Sequence, residues 1–196
     1  MESALRRFSR ILGPVVLTSL AFLVMHPASS ASTRTADAIT WLLPRNGQST
    51  NSVVDDGHFD SLLRLVVPSA TLDLGAGRQQ LRRTFWEFLH GPPNDIIVED
   101  NRYIIFSACR AHFCPEKAWL WCDATDGVVA GALVHYIFKG EDNGQPSLLL
   151  FSNQPTDCTL PSRCQLALDA WLKANDISPL LQRCVNSKGV IKEMKQ

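Results

Sequence analysis

The placement of the cysteines constrains this chain more than any other feature. All six (Cys109, Cys114, Cys122, Cys158, Cys164 and Cys184) fall in the second half of the 196 residues. Cys109 and Cys114 bracket the stretch "CRAHFC", with only four residues between them. That gap is too wide for a Cys-x-x-Cys redox pair and unusual for a zinc knuckle. It suits a small disulfide-closed loop, provided the chain folds where disulfides persist.

The N-terminus supplies that condition. Arg6, Arg7 and Arg10 precede an apolar run from Ile11 to Met25, and the small residues Ser29 and Ala31 follow. This is the order of a secretory signal peptide over residues 1–31, with cleavage expected after Ala31 and a second site at Ala36-Asp37-Ala38. The run is short for a membrane span and contains Gly13 and Pro14, so an uncleaved anchor is the lesser reading. An even number of cysteines in an exported chain implies disulfides. Cys109–Cys114 is the expected first pair, because so short a loop is cheap to close; the closure contributes about 2 kcal/mol. Among the other four, Cys158–Cys164 and Cys122–Cys184 are the favoured pairs, and the alternatives stay open. Zinc, with His112 as the fourth ligand, is a weaker rival in an exported chain. No cofactor and no metal are expected.

Charge excludes one class of partner. The chain has 19 basic and 19 acidic side chains. Cleavage after Ala31 removes three arginines and one glutamate, leaving 16 against 18. A slightly acidic product does not suit nucleic acid and mildly favours a cationic partner.

The pattern along the chain is helices, then strands, then a helix. Residues 32–54 are rich in Ser, Thr and Asn and read as a flexible arm. Phe59, Leu62, Leu63 and Val66 recur at helical spacing ahead of Pro68, as do Leu81, Phe85, Phe88 and Leu89 within residues 78–91, ahead of Gly91-Pro92-Pro93. Strands are expected at 95–100, 102–108, 117–122, 128–138 and 147–152, with Asp100-Asn101 as a hairpin turn and Gly131 marking a bulge or close approach. The short connections favour an antiparallel meander. A third helix is expected over 161–174, with Leu168, Trp171 and Leu172 buried; a last strand lies within 177–185 and a polar tail covers 189–196. The class is α+β: one domain over 55–188, with a central antiparallel sheet and helices on one face.

Motifs for catalysis are missing. There is no GxSxG, HExxH or Gly-rich phosphate loop. Cys109 with His112 would make a poor nucleophile and base, since Cys114 stands ready to oxidise the thiol. His58, His90 and His135 are scattered and read as structural. Trp119 and Trp121 alternate on one strand and share a face, either as core or as a recognition platform.

The stretch "YIIFSACRAHFCPEKAWLW" (Tyr103 to Trp121) is similar to the signature of the inhibitor of vertebrate lysozyme family, the Ivy proteins, whose loop reads CKPHDC. The likeness covers about residues 102–138. Cys109, His112 and Cys114 match the family's cysteines and histidine, and Arg110 stands for its lysine. Ala111 replaces its proline and Phe113 its aspartate. The resemblance implies an Ivy-like fold and a lysozyme inhibitor, not an enzyme, acting in the periplasm of a Gram-negative bacterium. Its loop of Arg110, Ala111, His112 and Phe113 would enter the lysozyme cleft, where His112 meets the two carboxylates that flank the scissile bond. The protein would carry no stable membrane insertion after cleavage, and a homodimer is open. The alternative is an envelope binding module that keeps this loop for a different periplasmic partner.

Overall fold

An antiparallel meander forms the centre of the molecule, and its order follows from the short turns between strands. The computed structural model describes residues 30–73, 77–136, 145–154, 158–179 and 181–194. The arginines and apolar run of the leader lie outside these residues, as do most of the 140–146 turn and the last two residues of the polar tail. Five strands run in succession: β3 (Ile97–Glu99), β4 (Tyr103–Arg110), β5 (Phe113–Asp123), β6 (Val128–His135) and β7 (Ser147–Ser152). Each pairs antiparallel with the next. Helix α5 (Ser162–Ala174) then crosses over, and β8 (Leu181–Val185) adds parallel to β7. The sheet ends at β9 (Ile191–Glu193). Asp100 and Asn101 both have positive φ, 53° and 48°, as a two-residue hairpin turn between twisted strands requires.

Before the sheet come α1 (Ser30–Ile39), a 3₁₀ turn (Thr40–Arg45), α2 (Asn51–Val54) and α3 (Gly57–Val66). A small ribbon of β1 (Thr71–Asp73) and β2 (Arg78–Gln80) then leads into α4 (Leu81–Leu89). Asp56 caps α3 by accepting from the His58 N–H at 2.8 Å, which holds its carboxyl below the ordinary range.

Alternation along β4 and β5 splits the interior into two halves. Ile104, Phe106, Leu120 and Cys122 face one cluster with α3 and α4 residues such as Phe59 and Phe85. Trp119, Trp121, Leu148 and Leu150 face the other, together with Leu168 of α5. Helices therefore cover both faces, α1 to α4 on one and α5 on the other, not one face as the pattern suggested. Both tryptophans are core residues, at most 1% exposed.

Three further expectations change. The stretch 32–54 is not a flexible arm: Ile39, Leu42 and Val53 are fully buried, and Gly47 and Gln48 bond to Ile96. Its polar residues misled because the few apolar ones are divided among the end of α1, a 3₁₀ turn and the four-residue α2 instead of forming one long apolar stripe. The second cleavage site, Ala36-Asp37-Ala38, lies inside α1 beside the buried Thr35. The polar tail is partly ordered, since Ile191–Glu193 pairs with β8. The segment 46–49 also covers the outer edge of β3, where the Val98 N–H donates to Asn46 Oδ1. That leaves little free edge for another chain to pair with.

Candidate functional site

The hairpin joining β4 to β5 is the stretch singled out by its cysteines. Residues Ala111 and His112 form the turn, with Arg110 opposite Phe113. One step further back, Cys109 already faces Lys117, so Cys114, Pro115 and Glu116 are extra residues on β5. Pro115 has no N–H to give a ladder, which fits an interruption at this place. Cys109 and Cys114 are disulfide-bonded across the irregularity, as expected. Neither therefore offers a thiolate to a metal or a substrate. Among the described residues no group of three or more His, Cys, Asp or Glu side chains is placed to hold a metal ion.

His112 sits at φ +64°, in the left-handed region, and is exposed. A residue with a Cβ held there costs on the order of 1 kcal/mol, so its surroundings must impose the conformation. The disulfide does so from one side. The segment Gly91–Asn94 does so from the other: the Cys109 N–H donates to Pro92 O at 3.1 Å and the Asn94 N–H to Ser107 O at 2.9 Å. Gly91 lies so close that a Cβ there would stand 1.9 Å from Cys109 O. Only glycine permits that approach. The buried Thr50 hydroxyl completes the brace by donating to Asn94 O at 2.9 Å.

Arg110 is about half exposed and pairs within the hairpin. Its Nη1 donates to Glu116 Oε2 at 2.6 Å, and its guanidinium lies over the Phe88 ring at 5.5 Å. Glu116 is nearly buried, with a side chain 4% exposed. A carboxylate so enclosed requires a cation, and among the described residues Arg110 is paired with it. Sequence reasoning missed Glu116 because the bulge that turns it inward leaves no local signature. Glu116 thus ties Arg110 to the base of the hairpin. Phe113 is instead 45% exposed, with its ring edge-on to Tyr136 at 6.3 Å. Lys117 donates to Cys114 O at 2.9 Å, and burial lowers its pKa. The tip thus presents Ala111, His112 and Phe113, with the charges of Arg110 and Glu116 cancelled behind them.

The remaining cysteines pair differently from the favoured scheme. Cys158 bonds to Cys184, while Cys122 and Cys164 are free and buried. Alternation explains this. Cys122 points to the α3–α4 face, whereas Cys158, Cys164 and Cys184 lie in the α5 half. Cys122 and Cys184 also stand on strands separated by β6 and β7. Burial pushes the Cys164 thiol up to about 12 and raises that of Cys122 as well, so both are inert. His58 and His90 each contact a carboxylate, Asp56 and Asp55, and His135 is buried in β6.

No family model, no curated protein and no solved structure matches this chain. Among the described residues no helix is long and apolar enough to cross a membrane.

Proposed function

We propose that this protein is an exported inhibitor of a lysozyme-type glycan hydrolase, acting in the periplasm of a Gram-negative bacterium without catalytic chemistry of its own. The observation that carries this reading is His112. It is an exposed imidazole held in a strained conformation at the tip of a disulfide-closed, backbone-braced hairpin. A strained polar residue fixed at a surface tip favours recognition over packing. The ordering cost of the loop is met in the free protein, which favours tight docking. A glycan hydrolase cleft offers two carboxylates a short distance apart. A protonated imidazole has two donors and no acceptor, and so complements them. The similarity of the hairpin to the Ivy loop supports the same target class.

A second reading has a specific observation behind it. Arg110 is turned onto Glu116, and Phe113 faces solvent, so the tip is less cationic and more apolar than the lysozyme-binding loop it resembles. That favours an envelope binding module with a different protein partner. Titrating lysozyme activity with the purified protein separates the two. The inhibitor reading expects stoichiometric inhibition, weakened at least tenfold by His112→Ala with no change in melting temperature, since an unpaired buried polar group costs about 1–3 kcal/mol and a charged carboxylate more. Equal inhibition by parent and variant removes the hairpin mechanism. No inhibition of any lysozyme leaves the binding module in its place.

A further inference from the structure

Helix α5 covers its face of the sheet incompletely. Between it and β3–β4 runs a groove of about 940 Å³. Positions 163, 167, 170 and 174 share one helix face, and three of them are alanines, so the helix leaves the space open. Ile97 and Leu166, 50% and 67% exposed, line the groove from opposite walls. The two ends differ in charge. At one, Arg163 donates to Glu99 at 2.9 Å and Asp100 at 3.3 Å, so its charge is matched. At the other stand Asn94, Asp95 and Asn175. Asn94 Nδ2 donates to Ser107 Oγ at 2.8 Å and Asn175 Nδ2 to Trp171 O at 2.9 Å, which leaves each amide its oxygen as acceptor. Asp95 is exposed and has no ion-pair partner among the described residues. This end therefore offers acceptors and one unmatched negative charge. Trp171 also lines the groove, with its ring packed against Trp119 at 6.1 Å.

We infer that this groove binds a short extended peptide segment in which a lysine or arginine adjoins aliphatic residues. The cation sits at Asp95, at the end of the groove where Asn94 and Asn175 stand, and aliphatic side chains fill the space between Ile97 and Leu166. A 13-residue helix is about 20 Å long, which about six extended residues span. Charge complementarity selects the cation, and the apolar walls select the neighbouring residues. The groove does not include the hairpin tip, although Asn94 and Ser107 belong both to its lining and to the brace behind the hairpin.

The test uses the mature protein and a fluorescein-labelled hexapeptide, Gly-Lys-Leu-Ala-Leu-Gly, beside an analogue with norleucine in place of lysine. Anisotropy should show saturable binding of the lysine peptide, weakened at least fivefold by Asp95→Asn and by the norleucine change. The two changes together should cost no more than either alone. Ala170→Phe, which fills the groove, should abolish binding. The Trp171 indole proton should shift on titration. Asp95→Asn is an exposed substitution, so it remains informative if Ala170→Phe does not fold. No binding, or binding that Asp95→Asn leaves unchanged, overturns the inference. Hexylamine binding as tightly as the peptide would assign the groove to small amines instead. Self-association abolished by Ala170→Phe would assign it to a second copy of the chain, and either result also overturns it.

Discussion

Arg110 is the residue whose role depends most on what lies behind it. In the hairpin it matches the charge of Glu116 instead of facing a partner. Removing it would leave a nearly buried carboxylate without its cation, and that penalty exceeds the loss of one surface contact. Arg110→Ala should therefore lower stability by about 1–3 kcal/mol, measured by denaturant unfolding. The size is discounted because Arg110 is itself about half exposed. Arg110→Ala with Glu116→Gln should recover most of the loss, since a neutral amide tolerates burial better than an unpaired carboxylate. If the double variant is no more stable than the single one, Glu116 is not the cause. His112 belongs to the same scale but should behave oppositely, because its side chain reaches solvent and carries no packing.

At the scale of elements, the β5–β6 turn shows how a charge pair holds two strands in register. Burial alone would raise the Asp123 carboxyl. Two bonds from Arg102, at 2.8 and 2.7 Å, and the N–H groups of Asp126 and Thr125 outweigh burial and hold the carboxyl below the ordinary range. A lowered folded-state value means stability that is complete above the unfolded value, near 4, and lost as pH falls through the folded one. The parent should lose stability as pH falls below the unfolded value, near 4, and Asp123→Asn should be less stable at pH 7 with a flatter acid limb. Equal acid slopes for the two proteins would contradict this. Elements with one clear period were legible in the sequence: the apolar positions of α3, the alternating ones of β4 and β5, and the six residues of β7. The Cys109–Cys114 loop was legible too, because proximity alone selects its bond. What the sequence hid was non-local. The packing of residues 32–54, the pairing of β2 with β1 at the start of a helix-like stretch, and the inward turn of Glu116 all depend on partners that no local pattern names.

Across the whole molecule, the two halves of the interior are held by different means. The α3–α4 half is closed by helices next to one another in sequence and by the β3–β7 meander. The α5 half depends on a parallel crossover, which must order many residues before β8 gains its partner. Cys158–Cys184 spans 26 residues across that crossover and ties its entry to β8. Beside it, Trp119 and Trp171 pack at 6.1 Å, and Leu168 and Leu150 close the interior. In the chain-entropy account, a loop of this length contributes about 3.5 kcal/mol, against about 2 for the hairpin bond. Cys158→Ser with Cys184→Ser should lower global stability by roughly that amount. The loss should also be uneven. Amide exchange should quicken in α5, β8 and β9, while β4 to β6 stay protected through their own ladder. The hairpin should keep its shape, so target binding should survive at temperatures where the variant is folded. Exchange that quickens equally across the sheet would show that the crossover is not a separate unit, and that the disulfide supports the whole fold as one cooperative block.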